Sequence, residues 1–260
     1  MFLLSLLRFI LNFGITAVLW VYFIFGFLLG FGPFIVWSFF RNGVDETVFQ
    51  RYYHLFFKGF FLLTQLLSPT INIKIDPRIR DFSSSIIICN HLSYLDPLLI
   101  ISIFQKQKTI VKSTFFKVPF FSWMIKRSGY IPSSSKGKNM ALVLRHLGNM
   151  KDYLKSGGVL FIFPEGTRSR NEKMNLFNKG AFSIARQCNV PINVLRIKNT
   201  NLLFRPGSYL FNTWQPIDIE LEAIGRINPS DYDKKQAIPD MMKDAFEILE
   251  NRLNKESLTV

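Results

Sequence analysis

The sequence has few cysteines, few histidines and few acidic side chains. Its two cysteines, Cys89 and Cys188, form no CxxC pair and no cluster with histidine at the spacing of a metal site. This argues against a zinc-dependent fold and against a disulfide framework. We therefore expect two buried, reduced thiols of an intracellular domain.

The signatures of several catalytic classes are also missing. The sequence contains no GxSxG nucleophile elbow, no HExxH zinc motif and no Walker loop for nucleotide phosphates. A covalent serine mechanism is therefore not supported. The chain is instead basic and apolar, with 32 lysines and arginines against 18 acidic residues, a net charge of +14, and 28 phenylalanines.

An excess of positive charge indicates an anionic partner, which is either a lipid surface or a nucleic acid. The basic residues are scattered along the chain, and no nucleic-acid-binding module is recognisable. We therefore expect a membrane bilayer as a partner and no nucleic acid.

A long apolar segment lies near the N-terminus, because residues 9–40 contain no charged side chain. As one helix it would extend about 48 Å, which exceeds one hydrocarbon core of about 30 Å and falls short of two crossings. Two interpretations remain open. One is a spanning helix near residues 9–31 followed by a short apolar helix; the other is a bent pair of helices that enters one leaflet and returns.

Glycines between positions 26 and 32, together with Pro33, mark where such a helix is expected to bend or stop. Arg8 and Arg41 flank the segment, which favours a return to the positive, cytoplasmic side. We therefore expect a membrane-attached protein whose active site faces the cytoplasm.

The pattern changes after this region. Residues 1–67 are interpreted as a membrane-anchoring helical segment that includes an aromatic-rich helix over 51–67, and residues 68–260 as a separate domain. In that domain, apolar runs typical of strands alternate with helical patterns, which predicts an α/β fold with a mostly parallel layered sheet and flanking helices. Strands are predicted at 71–75, 85–89, 109–111, 159–163, 190–197 and 217–221, and helices at 96–103, 137–155, 180–187 and 239–254.

Of the three histidines, His91 alone directly follows a predicted buried strand, and Asp96 comes five residues later. Ligands gather at the carboxyl ends of strands in such sheets, and an imidazole can accept a proton near neutrality. Asp96 is close enough in sequence to hold one ring nitrogen, and with Pro97 it is expected to cap the next helix. The alternative is that the two residues only close a loop. His54 and His146 are interpreted as packing residues.

A second polar cluster, Phe163-Pro164-Glu165-Gly166-Thr167-Arg168, follows another predicted strand. Glycine allows a close backbone approach to a ligand, and the planar guanidinium of Arg168 matches a phosphate. Glu165 is expected to bind a hydroxyl or to position Arg168. The alternative is a tight turn with a surface ion pair.

These two motifs, in this order and spacing, resemble those of the glycerolipid acyltransferases, and most closely the 1-acylglycerol-3-phosphate O-acyltransferase family. The resemblance covers roughly residues 70–215 and also includes the segment from Lys112 to Phe121. It implies that His91 is the general base and that Asp96 is its orienting partner. It further implies that Glu165, Gly166 and Arg168 bind the phosphorylated acceptor, with Lys112 assisting, and that neither a metal nor another cofactor takes part.

Two departures from the family pattern concern the acceptor. The second family motif usually ends in arginine, whereas Gly129 to Ser135 ends here in serine, and Lys136 or Arg127 is the candidate substitute for that charge. The fourth motif usually has two prolines, whereas here Pro191 is present and Asn193 stands at the other position. Acceptor or acyl-chain preference is therefore expected to differ from that of a typical member.

The resemblance implies transfer of an acyl group from acyl-CoA or acyl carrier protein to the 2-hydroxyl of lysophosphatidic acid, which forms phosphatidic acid. Two alternatives remain open. One is an acyltransferase for another lysophospholipid or a lyso-aminolipid; the other is a non-catalytic, membrane-attached lipid-binding protein.

Overall fold

A computed structural model describes residues 2–40, 45–118, 121–133, 145–168, 174–233 and 235–257. The chain divides into two compact units. Unit 1 comprises Met1–Lys74, Leu92–Gln105 and Lys198–Glu220, and unit 2 comprises Ile75–His91, Lys106–Ile197 and Leu221–Val260.

The α-helices, in chain order, are α1 (Phe2–Val21), α2 (Phe27–Phe40), α3 (Glu46–Leu67), α4 (Leu95–Ile103), α5 (Phe121–Arg127), α6 (Met150–Lys155), α7 (Gly180–Cys188), α8 (Thr200–Leu203) and α9 (Ala237–Ser257). The strands are β1 (Ile71–Ile75), β2 (Ser85–Cys89), β3 (Gln107–Val111), β4 (Ile131–Pro132), β5 (Val159–Ile162), β6 (Ile192–Lys198) and β7 (Ile217–Ile227).

In unit 1 the first two helices form one nearly continuous rod. A π-helical turn, Tyr22–Gly26, joins α1 to α2, and α2 continues through Pro33 to Phe40. The helix therefore does not stop between Gly26 and Pro33, and the departure from α-geometry lies at Tyr22–Gly26, whose last residue is the first of the positions where a bend or stop was expected. At that turn the Tyr22 hydroxyl donates to the Phe56 carbonyl at 2.9 Å, and the two rings stack with centroids 5.0 Å apart. Gly59 leaves the space that the Tyr22 hydroxyl occupies, because a Cβ there would lie 2.4 Å from it.

The segment Leu6–Phe34 is the one helix in the described part of the chain that is long and apolar enough to cross a membrane, with a mean hydropathy of 2.1. Within the most apolar 18-residue stretch of this helix, only 11% is buried. Most of this apolar surface is therefore available for contact with lipid.

One face of α1 carries four side chains with polar groups at intervals of four residues. We call this set the polar stripe: Arg8, Asn12, Thr16 and Trp20. Asn12 accepts hydrogen bonds from the Thr213 backbone N–H at 3.0 Å and from its hydroxyl at 2.6 Å. Three further contacts complete the stripe: Thr16 Oγ1 accepts from the Phe211 N–H, Trp20 donates to the Tyr209 carbonyl, and the Arg8 guanidinium lies 5.3 Å from the Trp214 ring. Spacing of four residues puts these side chains on one helix face, which is fastened to the 209–214 loop.

The rest of unit 1 packs on the third helix. Asp45 caps α3 by accepting from the Thr47 N–H at 2.9 Å. Tyr53 and the five phenylalanines of α3 are buried, whereas Tyr52 is exposed. The fourth helix packs against α3, and β1 lies beside the start of β7. The core of this unit consists of Leu19, Phe60, Phe61, Ile71, Leu95, Leu99, Leu203, Phe204, Phe211, Ile217 and Ile219.

Unit 2 contains the parallel part of the sheet, with strand order β7-β6-β2-β5-β3-β4. The second strand pairs in parallel with β5 and β6, and β3 pairs in parallel with β5 and β4. Every residue of β2 and β5 is buried, as is expected for central strands covered on both faces. The core of this unit includes Ile86, Ile88, Leu160, Ile192 and Val194 from the strands and Phe182, Met241 and Ala245 from α7 and α9.

The predicted α/β fold with a mostly parallel sheet is confirmed. The first two strands have the predicted bounds, whereas β7 extends six residues beyond the predicted end at Leu221. The helix predicted over 137–155 is helical at 145–148 and in α6, and its first part lies outside the described residues. The boundary predicted between residues 67 and 68 remains a prediction.

Candidate functional site

Three neighbouring parallel strands of unit 2 end at one edge of the sheet, and the predicted site residues His91, Glu165 and Lys112 come after them. The register pairs Ile88 of β2 with Ile162 of β5, and Thr109 of β3 with Phe161 of β5. His91 comes three residues after Ile88, Phe163 follows β5 directly, and Lys112 follows β3 directly. Parallel pairing therefore brings the three loops to the same sheet edge, where ligands bind in this class of fold.

The chain between β2 and His91 is held by the Asn90 side chain. Its Nδ2 donates to the Ile197 carbonyl at 2.9 Å, and its Oδ1 accepts from the Ile197 N–H at 2.8 Å. This buried amide pairs with β6 as a backbone peptide would and continues the ladder past the end of β2. The position of His91 is thus fixed by the sheet.

The His91 ring stacks on Phe163, with centroids 4.1 Å apart and planes at 21°. Phe163 is half-buried and makes an edge contact with Phe161 of β5, at 6.1 Å. A stacked aromatic ring limits the rotation of an imidazole and presents a π-face to it. The first residue of the second motif therefore contacts the histidine of the first.

The loop after β5 is held by two asparagines. Glu165 is buried, and its Oε2 accepts from the Asn175 backbone N–H at 2.9 Å and from its Nδ2 at 3.2 Å. Asn178 donates to the Pro164 carbonyl through its backbone N–H at 2.8 Å and through its Nδ2 at 3.1 Å. These bonds shape the turn that carries the half-buried Arg168.

Gly166 has a backbone conformation that side chains disfavour, with φ of +71°. A Cβ at this position would lie 2.9 Å from Asn178 Nδ2. The turn therefore needs glycine for two reasons, its left-handed backbone and the close approach of the asparagine.

The predicted phosphate ligands outside this loop are placed as follows. Lys112 is exposed and precedes the 3₁₀ turn Ser113–Lys117. Arg127, one candidate for the missing charge of the second motif, has its guanidinium 5.6 Å from the centre of the Trp123 ring. The other candidate, Lys136, lies outside the described residues, as does Ser135.

Asp96 belongs to unit 1 and is completely buried. Its Oδ2 accepts from the backbone N–H of Leu92 at 2.5 Å and of Ser93 at 2.7 Å, and its Oδ1 accepts from the Thr200 hydroxyl at 2.5 Å. The prediction that Asp96 caps α4 is wrong, because the helix begins at Leu95 with Tyr94 at the cap position. The carboxylate lies within the first turn and reaches back to the loop that connects it to His91.

The remaining histidines have structural surroundings. His54 Nδ1 lies 3.2 Å from the Ile101 carbonyl, and burial lowers the pKa of its imidazole. His146 is buried as well. Neither cysteine is in a disulfide, and both are buried. No three histidine, cysteine, aspartate or glutamate side chains come together as a metal site within the described ranges.

Sequence reasoning missed Asn90, the stacking of Phe163, the role of Asn175 and the contact of Thr200 with Asp96. Asn90 had a local signal, because it is a polar residue directly after a buried strand. Asn175 and Thr200 had none: Thr200 meets Asp96 across 104 positions, and Asn175 meets Glu165 across ten positions with no regular spacing to mark the pair.

Comparisons with known proteins identify the family of this domain. The acyltransferase family model matches residues 70–198, a range that contains both motifs. The chain is 32% identical to the chloroplastic 1-acyl-sn-glycerol-3-phosphate acyltransferase BAT2 of Brassica napus. The aligned 121 residues cover 46% of this chain and 35% of that protein. It is 34% identical to the 1-acyl-sn-glycerol-3-phosphate acyltransferase of Saccharomyces cerevisiae. The aligned 132 residues cover 49% of this chain and 43% of that protein.

Among solved structures, the 1-acyl-sn-glycerophosphate acyltransferase PlsC of Thermotoga maritima matches with a TM-score of 0.68 and 23% identity, over 96% of this chain and 98% of that one. This likeness supports the fold. The chain spans less than half the length of the two curated relatives above. The family model covers residues 70–198, about half of the chain, and the chain belongs to the acyltransferase family, within which it is similar to 1-acyl-sn-glycerol-3-phosphate acyltransferases.

Proposed function

We propose that this protein transfers an acyl group from an acyl thioester to the 2-hydroxyl of 1-acylglycerol-3-phosphate and forms phosphatidic acid. The proposal rests on one observation in unit 2. His91, which comes after β2, stacks on Phe163, and Phe163 begins the loop after β5 that contains Arg168. The relatives named above are acyltransferases for this acceptor, and they support the choice of substrate.

In the proposed reaction His91 accepts the proton of the acceptor hydroxyl, and Asp96 orients the imidazole. The hydroxyl oxygen attacks the thioester carbonyl, so that a C–O bond forms and the C–S bond breaks. The thiolate leaves and takes the proton from the imidazolium. General base catalysis contributes typically about 10²–10⁴-fold, and alignment of the two substrates supplies much of the remainder.

Arg168 and Lys112 are the proposed ligands of the acceptor phosphate. A guanidinium offers a planar pair of donors to a phosphate, and a lysine adds a point charge. Gly166 allows the backbone to approach the acceptor. Glu165, whose Oε2 is occupied by Asn175, supports the shape of the loop that carries Arg168.

We further propose that residues 1–67 anchor the protein to a membrane and that residues 68–260 form the acyltransferase domain, with the active site on the cytoplasmic side. A bilayer-bound enzyme need not extract its substrate into water, which costs about 0.8 kcal/mol per CH₂. The polar stripe of α1 supports the one-leaflet interpretation, because it fastens that helix to the 209–214 loop of the same unit. A helix that crosses the bilayer alone would leave those polar groups in hydrocarbon.

A second candidate is acylation of a lysophospholipid with a different headgroup. It is favoured by the second motif, in which Ser135 stands in place of the usual final arginine and Arg127 lies over Trp123. A lipid-binding role without catalysis is the third candidate, and it would leave the thioester intact.

The test is thiol release from acyl-CoA and from acyl-loaded carrier protein by the purified protein in vesicles. Lysophosphatidic acid is added in one arm, and monoacylglycerol and lysophosphatidylcholine in two others. We expect release in the lysophosphatidic acid arm alone. Release with lysophosphatidylcholine instead would establish the second candidate, and no release in any arm would refute an acyltransferase activity.

A further inference from the structure

The residue Thr200 begins α8, and its side chain is completely buried. Its hydroxyl donates a hydrogen bond to Asp96 Oδ1 at 2.5 Å, although the two residues are 104 positions apart in sequence. Both residues belong to unit 1. A buried threonine whose hydroxyl is directed at a carboxylate makes a charge-assisted bond, which is stronger than a bond between two neutral groups.

The other carboxylate oxygen is held independently. Asp96 Oδ2 accepts from the Leu92 and Ser93 N–H groups, at 2.5 and 2.7 Å. With donors on both oxygens, the carboxylate cannot turn about its Cβ–Cγ bond without losing a hydrogen bond. The backbone donors hold one oxygen, and the Thr200 hydroxyl holds the other, so the two together set the plane of the group.

The residue before Thr200 restrains its position. The residue before it, Asn199, has φ of +62°, a conformation that asparagine tolerates better than most residues. Its Nδ2 donates to the Asp218 carbonyl of β7 at 2.7 Å. Thr200 therefore follows a turn that is hydrogen-bonded to β7, and this contact restricts the position of its hydroxyl.

We propose that Thr200 is a positioning residue for acyl transfer: its hydroxyl sets the orientation of the Asp96 carboxylate and, through it, that of the His91 ring. This proposal rests on the His91–Asp96 pairing of the proposed function. It predicts that removal of the hydroxyl lowers the rate of the chemical step and leaves substrate binding unchanged.

The kinetic test compares Thr200→Val, which keeps the side-chain shape, with Thr200→Ser, which keeps the donor. Thr200→Val should lower kcat about tenfold or more with KM changed less than twofold, and Thr200→Ser should stay within about threefold of the wild type. The matched control is Thr64→Val, because Thr64 is equally buried in unit 1 but donates to the Phe60 carbonyl. That control should keep the wild-type kcat.

A second measurement separates this proposal from the proposed function. Ring signals of ¹⁵N-labelled histidine report the tautomer of His91, and they are assigned by their loss in His91→Ala. Thr200→Val should change the tautomer signals of His91, whereas Thr64→Val should not. This readout does not depend on which lipid is the acceptor, or on whether any acyl transfer is detected.

Three results would overturn the proposal: wild-type kcat in Thr200→Val, an equal loss of kcat in Thr200→Ser, or unchanged His91 ring signals in Thr200→Val. Should Thr200→Val fail to fold, Thr200→Cys replaces it, since a thiol is a weak donor of similar size. The kcat of Thr200→Cys is then expected to lie between that of Thr200→Ser and that of His91→Ala. A wild-type kcat in Thr200→Cys would contradict the proposal.

Discussion

The imidazole of His91 lies face to face with the ring of Phe163, at a centroid distance of 4.1 Å. The two residues follow adjacent parallel strands, so the pairing of β2 with β5 creates the contact. This stacking connects the two motifs physically, because the residue that opens the second motif restrains the histidine of the first.

Replacement of Phe163 tests this contact. Phe163→Ala should lower kcat/KM about three- to tenfold, since an aromatic pair is worth about 0.5–1.5 kcal/mol beyond its buried area. Phe163→Tyr keeps the ring and should retain most of the activity. Steady-state acyl transfer measures both variants, and equal losses in the two would show that stacking is not the relevant property.

The turn at Gly166 gives a second prediction. Gly166→Ala places a Cβ 2.9 Å from Asn178 Nδ2 in a backbone with φ of +71°, so we expect a loss of stability of about 1 kcal/mol or more and a marked loss of activity. Gly157→Ala is the control, because Gly157 has φ of +89° but nothing within 4 Å of the added carbon.

The comparison separates backbone strain from displacement of the loop. Both variants should unfold at lower denaturant concentration than the wild type, but Gly157→Ala should keep its acyl transfer rate. Equal activity of the two variants would contradict a specific need for glycine at position 166.

His54 gives a prediction about pH. Burial lowers the pKa of the His54 imidazole below its ordinary value near 6.5, and the neighbouring charges of Lys58 and Arg51 lower it further, against an opposing effect of the Ile101 carbonyl. Below about pH 6.5 the unfolded chain then binds a proton that the folded chain resists. The contribution of His54 to stability is therefore present above that pH and is lost as the pH falls.

The variant His54→Asn tests this, because an asparagine Nδ2 can donate to the Ile101 carbonyl in place of the His54 Nδ1 and does not titrate. The fall in Tm between pH 7.5 and pH 5.5 should be smaller in His54→Asn than in the wild type. An identical fall in both proteins would show that His54 does not titrate in this way.

Much of the fold could be predicted from local pattern. The β-branched run of β2 and the apolar run of β5 are continuous, as buried parallel strands are, and this placed His91 and Glu165 at strand ends. The end of β7 was missed because its alternation weakens near Gly225. In the structure Ile248 of α9 fills the space beside Gly225, where a Cβ would lie 3.0 Å from it.

The parts of the site that escaped prediction depend on long-range contacts. Thr200 meets Asp96 across 104 positions, and no local pattern marks it. The polar stripe of α1 was not predicted, and its partner, the 209–214 loop, lies about 200 positions away. Spacing identifies which residues share a face, whereas the partner of that face is set by the tertiary fold.

The central claim is that His91 is the general base of acyl transfer, and the direct measurement is thioester-dependent acylation of lysophosphatidic acid by purified His91→Ala beside the wild type. Circular dichroism and Tm must first show that the variant is folded. We predict a kcat lower by about 10²–10⁴-fold, with acceptor binding retained. A folded His91→Ala protein that acylates lysophosphatidic acid at more than about a third of the wild-type rate would contradict the claim, because no such rate survives the loss of a working base.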